Sequence, residues 1–407
     1  MSQYRLSATS IAAFKTCPVK FRLGFIEGLK PDKDTESQRM GTNWHKLHEL
    51  AGAVKGDEAA KIDAVIAHLN EAYRTPPISV TPFDWAVERE VLLQSFIGYL
   101  WRWTNDPVEI LASEIPFELP LMSPKVNLPL PTSDVVRVGK IDHIVRRQGA
   151  VCNLERKSTS RSITSDSDYW DKAKKDTQVS MYALAFKDMP RLYDRGCPNT
   201  YTLAELWSRV GDRDIDSIPW FDKSERIGNT LYDVWHKPTI KPSAITQAET
   251  AEFIKTDMYC GRKFTVTCVE KVGSGEIAAT VDGEPVTVEM GKRGYAFRET
   301  SAMFGARLLQ DIQVRPDFYY QRREIVRTEA ELEAFKHQLF AVYQAQKTFE
   351  RSGCWFENEQ QCRATFPCPF IPICYGSGSE VVCDGKTVPA GFRRHHVDVT
   401  VNGREIE

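Results

Sequence analysis

The stretch VVRVGKIDHIVRRQGAVCNLERKS, residues 135–158, constrains the fold more than any other part of the chain. Val135, Val136, Val138, Ile141, Ile144 and Val145 supply the β-forming apolar positions of one strand, and Val151, Cys152 and Leu154 those of a second. Arg146-Arg147-Gln148-Gly149 makes the turn between them. The hairpin nonetheless carries Asp142 in its first strand, and Glu155 and Lys157 in its second. Charges on half-buried strands are costly unless paired or bound to an ion. Residues two apart on a strand share a face, so Glu155 and Lys157 project together, and Asp142 reaches that face if the register allows. The spacing alone leaves two readings open. One is a cross-strand salt bridge on a solvated face; the other is two carboxylates and a lysine around a hard cation such as Mg²⁺ or Mn²⁺.

The rest of the chain alternates helical and strand-like segments around this hairpin. SATSIAAFKTCPVKFRLGFIEG opens with hydroxyl residues suited to cap a helix, which Pro18 should kink or restart. SQRMGTNWHKLHELAGAV, AAKIDAVIAHLNEAYR and FDWAVEREVLLQSFIGYLWRW each show helical periodicity. From Val108 the pattern turns to strands, VEILASEIPFELPLM and then the hairpin, before YWDKAKKDTQVSMYALAFKDM returns to helix. Residues 191–298 hold short β-like runs and a hairpin signal at Asp282-Gly283, and read as an insertion or subdomain. SAMFGARLLQDI reads as helix, DFYYQRREIVR as strand, and TEAELEAFKHQLFAVYQAQKTFERS as an amphipathic helix with a capping box at Thr328 and Glu331. The expected units are therefore a helical region over 1–107, an α/β core over 108–190, the insertion over 191–298, and a helical, Cys-rich region over 299–407.

Net charge is −2, so any nucleic-acid surface must be local rather than a property of the whole chain. MSQYRLSATS is no signal peptide and no apolar run is long enough to span a bilayer, which predicts a soluble, cytoplasmic protein with no membrane partner.

Hydrolysis of a phosphodiester needs a metal-activated water and positive charge where the transition state becomes more negative. Two carboxylates and Lys157 supply those parts. Upstream, Gly41 and His45 form a G-x-x-x-H spacing on a helix, where His45 either completes a carboxylate metal site or packs as an ordinary histidine. Downstream, Gln178 and Tyr182 stand four residues apart on one helical face. The order along the chain is thus G-x-x-x-H, G-x-I-D, E-x-K, Q-x-x-x-Y.

That order resembles the RecB-like branch of the PD-(D/E)XK nuclease superfamily, which includes CRISPR-adaptation nucleases, the AddB nuclease domain and phage exonuclease-like proteins. The resemblance implies a restriction-endonuclease-like α/β core, a mixed central sheet flanked by helices, carrying a central insertion and a C-terminal Cys-rich staple. It implies that His45, Asp142 and Glu155 hold Mg²⁺ or Mn²⁺, that Lys157 is catalytic, and that Gln178 and Tyr182 lie beside the site. SEIPFELPL resembles the strand before the aspartate motif, which adds Glu114 as a further site carboxylate. The implied activity is a metal-dependent deoxyribonuclease, with exonuclease action on single strands or DNA ends, in phage or mobile-element recombination, replication or repair. A helicase or recombination partner fits that setting; no G-x-x-x-x-G-K-[ST] loop occurs in this sequence. The alternative is a nucleic-acid-binding or assembly subunit that keeps the fold without cutting.

CRATFPCPFIPIC places Cys362, Cys368 and Cys374 in one short run, one ligand short of a Cys₄ centre, and Cys17 is a candidate for the fourth. RecB-like nucleases with iron–sulfur clusters share this arrangement, so the resemblance implies a [4Fe–4S] cluster fastening the two ends of the chain around the core. Their first C-terminal pair is separated by two residues, against five here. Structural Zn²⁺, or the use of Cys354 or Cys383, stays open. Cys152, Cys197, Cys260 and Cys268 read as small packed residues. Arg146, Arg147, Lys172, Lys174 and Lys175 could hold phosphates, with Tyr169 or Trp170 stacking on a base.

Overall fold

In a computed structural model of the chain, residues 3–395 are described apart from 107, 127, 133, 194–225, 271–276, 292–293, 365 and 377–386. The centre is a mixed sheet whose main strands are β1 (Tyr4–Leu6), β2 (Glu109–Pro120), β3 (Val135–Arg147), β4 (Ala150–Thr159), β5 (Thr230–His236) and β6 (Tyr320–Ile325). Their order is β1-β3-β4-β5-β6, with β2 on β3 and a two-residue strand, Arg226–Ile227, beside β4. β2, β3 and β4 form an antiparallel run; β1 lies parallel to β3, β5 parallel to β4, and β6 antiparallel to β5.

The expected hairpin is β3–β4. It turns through Gln148 (φ 50) and Gly149 (φ 71), two left-handed residues whose twist matches the flanking strands. Its ladder runs from Arg147–Ala150 only as far as His143–Leu154. There the strands part. β4 continues along β5, from Leu154–Leu231 to Thr159–His236, and β1 pairs with the first residues of β3. Asp142 is the first residue beyond the split.

Helices cover the sheet. Those used below are α1 (Ala8–Thr16), α2 (Glu36–Ala53), α3 (Glu58–Ala72), α4 (Pro82–Arg102), α5 (Thr177–Tyr193), α6 (Ser301–Val314) and α7 (Glu329–Ser352). Ser7 caps α1, Thr35 caps α2 and Thr328 caps α7, each in a capping box. Pro18 restarts the helix after α1, at Pro18–Phe21. One core joins Phe14, Ile115, Phe117, Ile141, Met181 and Leu339 from α1, β2, β3, α5 and α7. A second joins Trp44, Leu92, Phe96, Trp235, Leu308 and Tyr320 from α2, α4, β5, α6 and β6.

Of the stretch 191–298, β5 belongs to the central sheet, whereas Phe253, Phe264, Val281 and Phe297 gather in a core of their own. Within that part the hairpin at Asp282 (φ 51) and Gly283 (φ 82) forms as expected. No helix among the described residues is long and apolar enough to cross a membrane.

Candidate active site

The split between β3 and β4 leaves the N–H of Arg156 without a ladder partner, and Asp142 Oδ2 accepts it at 2.9 Å. The same oxygen lies 3.6 Å from His45 Nδ1, carried in by α2. Glu114 completes this group. Between the pairs Ser113–His143 and Ile115–Ile141, it stands opposite Asp142, in a left-handed conformation (φ 55) unusual for a non-glycine residue. One ligand atom from each of His45, Glu114 and Asp142 falls within 4.8 Å of the others. Glu114 also pairs with Lys140.

A second group lies on the other arm of the split. Glu155 Oε1 accepts Lys157 Nζ at 2.6 Å and Gln178 Nε2 at 2.5 Å, and Lys157 Nζ also donates to Gln178 Oε1 at 2.6 Å. The three side chains close a triangle. Two residues that the sequence did not single out hold it in place. Asp176 Oδ1 accepts the N–H of Gln178 at 2.6 Å, and Asp176 Oδ2 accepts the hydroxyl of Tyr232 at 3.1 Å. Tyr232 pairs in register with Glu155, and its ring centroid lies 5.9 Å from Lys157 Nζ. Asp176 carried a usable signal, an aspartate just ahead of a helix. Tyr232 carried none, because Asp176 and Lys157 meet it only through tertiary packing.

Burial is the largest influence on Glu155 and pushes its carboxyl up; Lys157 opposes this and Asp142 adds to it. Burial alone would lower the Lys157 ammonium, but Glu155 and Asp142 outweigh it and hold the group above its ordinary value. Partial burial draws the His45 imidazole below its ordinary value, which favours the neutral ring that ligates metals. Glu155 Oε2 is buried with no hydrogen-bond partner. Leaving a buried carboxylate oxygen unsatisfied is costly, and a divalent cation there would satisfy it. The donor set, carboxylates and one imidazole, therefore fits a hard divalent cation.

Tyr182 stands apart from the triangle. It packs edge-on to Phe117, centroids 5.6 Å apart, and both rings close over Gly139. A Cβ at Gly139 would come within 2.6 Å of Phe117 and 2.8 Å of Tyr182, so this position of the G-x-I-D spacing needs glycine. Gly41 does not: a Cβ there would make ordinary contact with Ser158 at 3.5 Å. The expected base-stacking role of Trp170 is corrected, because the ring is buried and its Nε1 donates to the Ile163 carbonyl at 3.0 Å. Lys172 and Lys174 are paired with Asp168 and Asp171, and Arg146 with Glu109. These pairings offset their charges.

Cys17, Cys362, Cys368 and Cys374 line one cavity together with Phe370 and Ile371. Asn358 Nδ2 donates to the Thr16 carbonyl at 3.0 Å, tying the C-terminal segment to the end of α1. Burial, then Glu357 and the other three cysteines, pushes the Cys374 thiol up to about 11. Thiolates gathered this closely oppose one another's charge, and a cationic centre would relieve that. Four sulfurs fit a soft metal or an iron–sulfur cluster. Cys354 is exposed and lines no part of that cavity, while Cys197 and Cys383 lie outside the described residues. Cys152, Cys260 and Cys268 pack among apolar side chains, as expected.

A mixed sheet that splits to present two carboxylates and a lysine, beside a histidine and a third carboxylate, defines a class: the metal-dependent nucleases with a restriction-endonuclease-like core. A model of the PD-(D/E)XK nuclease superfamily matches residues 5–375, and the chain belongs to that superfamily. No curated protein matches it.

Proposed function

We propose that the protein is a Mg²⁺- or Mn²⁺-dependent deoxyribonuclease of the RecB-like branch, acting as an exonuclease on single strands or DNA ends. The observation that carries this reading is the convergence of His45, Glu114 and Asp142 next to the Glu155–Lys157–Gln178 triangle. His45, Asp142 and Glu155, with Glu114, would hold the cation. When bound, it supplies a Lewis acid and lowers the pKa of water at the scissile phosphate. Lys157, fixed by Glu155 and Gln178, places its ammonium where negative charge grows on the phosphate. Asp142 orients His45 and ties the site to the Arg156 backbone. The four cysteines would hold a [4Fe–4S] cluster that fastens the two ends of the fold. Recombination, replication or repair in a phage or mobile element, in the host cytoplasm and beside a helicase or recombinase, is the setting this reading fits.

Cleavage of end-labelled single- and double-stranded DNA with Mg²⁺ or Mn²⁺ tests it, against Lys157→Ala and Asp142→Ala. The intact protein should cut and both variants should not. If the intact protein cuts neither substrate, it is a binding or assembly subunit; if the variants cut equally well, the site lies elsewhere. For the cysteines, visible absorbance and metal analysis after anaerobic purification decide. Stoichiometric zinc without iron removes the cluster.

A further inference from the structure

Helix α2 and strand β2 enclose a cavity of about 520 Å³ that shares Glu114 with the metal-ligand trio. Glu49 and residues 51–54 form one wall, residues 110–114 the other, and Lys61 of α3 also lines it. The opening is built into β2. The register slips by one residue between Ile110–Val145 and Ala112–Ile144, making a bulge, and Glu114 then takes its left-handed conformation. Bulges and strained residues of this kind re-aim side chains beside functional sites. The walls come close at Gly52, where a Cβ would be in ordinary contact with Ser113 Oγ at 4.0 Å, so the absence of a side chain there keeps the groove from narrowing further.

The lining says what enters. Ile110, 43 % exposed, and Val54 offer apolar surface, and the Ser113 hydroxyl, bonded to His143 Nδ1 at 2.8 Å, offers a polar contact. Glu49 is paired with Lys46 and Glu114 with Lys140, so the lining offers polar edges more than net negative charge, which suits an uncharged ring with edge donors beside the apolar wall. The volume falls within the roughly 300–1,000 Å³ of pockets that bury one small-molecule-sized group. We propose that this groove takes the base of one unpaired nucleotide, from a strand whose neighbouring phosphate lies at His45, Glu114 and Asp142. Ile110 and Val54 contact the ring, and Ser113 and Glu49 meet its polar edge. The proposal rests on the nuclease reading above and adds the single-stranded selectivity of the site.

Two measurements test it with a single-stranded oligonucleotide and its duplex. Lys157→Ala protein is photocrosslinked in Mg²⁺ to the strand carrying 4-thiothymidine, and the attachment points are mapped by mass spectrometry. Crosslinks in residues 49–54 or 108–114 are expected; crosslinks confined elsewhere overturn the groove. Gly52→Leu and Ile110→Trp each fill the cavity from one wall. Each should raise KM for the single strand about tenfold or more. Mn²⁺ affinity, read by calorimetry, should stay close to that of the parent. If both variants, folded by circular dichroism, bind and cut the single strand like the parent, the proposal fails. If the parent cuts no DNA, the nuclease reading fails, and the crosslink map still decides the groove.

Discussion

The hydroxyl of Tyr232 donates to Asp176 Oδ2 at 3.1 Å while the other oxygen of Asp176 accepts the N–H of Gln178 at 2.6 Å. One carboxylate thus joins a central strand to the helix start that holds Lys157. Tyr232→Phe keeps the ring beside the ammonium but releases Asp176, so Gln178 and Lys157 lose a restraint on their position. A misplacement of this kind lowers kcat about ten- to hundredfold, with KM little changed. Steady-state kinetics beside a thermal melt check this. A fall in Tm with unchanged kcat would reduce the bond to a structural role.

Asp142→Asn separates the two tasks of that side chain. The amide oxygen can still accept the Arg156 N–H, so the fold survives, but the charge that would face the proposed cation is gone. Outer partners of metal ligands already cost about 10–100-fold in affinity, and loss of a ligand should cost at least as much. Glu114→Gln should cost less, because Lys140 already offsets the Glu114 charge. Mn²⁺ titration calorimetry on the two variants gives the ranking, and equal losses would contradict it.

Gly139→Ala places a methyl group against two rings that are held by the surrounding core. Overpacking of this kind destabilises by about 1–3 kcal/mol. Chemical denaturation should show that loss, and an unchanged midpoint would mean that Phe117 and Tyr182 give way.

His48 is buried among Trp44, Phe96 and Tyr99, and burial, then Arg156, holds its imidazole well below the ordinary value. The unfolded chain therefore takes up this proton first. Stability is intact above about pH 6.5 and falls as pH drops below it, by at most about 1.4 kcal/mol per pH unit from this group. His48→Phe keeps the aromatic packing and removes the titration. The loss of Tm between pH 7.5 and 5.5 should be smaller in the variant than in the parent. An equal loss would assign the acid sensitivity to other groups.

The hairpin was legible because strand alternation puts Glu155 and Lys157 on one face whatever the rest of the chain does. His45 and Gln178 were legible only as helical spacings, and the contacts that join them to Asp142 and Lys157 come from tertiary packing. β5 was hidden for a different reason. All seven of its residues are buried, and the one carboxylate among them, Asp233, is satisfied by Tyr99 Oη at 2.5 Å and Arg322 Nη2 at 2.9 Å. Those partners lie far away in sequence, so no local pattern separates this strand from the stretch that follows it. Trp170 misled for a similar reason. Its flanking lysines suggest a surface, but Ile163, Val179, Tyr232 and Val234 enclose the ring.

The strand order also has a consequence for synthesis on the ribosome. β5 pairs directly with β4, so the arm bearing Glu155 and Lys157 keeps an open edge until residue 236 has been made and has emerged. Pairings this distant in sequence form late. A nascent chain that already carries every residue of the cutting centre still lacks the strand that positions Tyr232 and, through it, the lysine. On the nuclease reading, the centre is thus completed by a strand well beyond Tyr182, the last of its proposed residues.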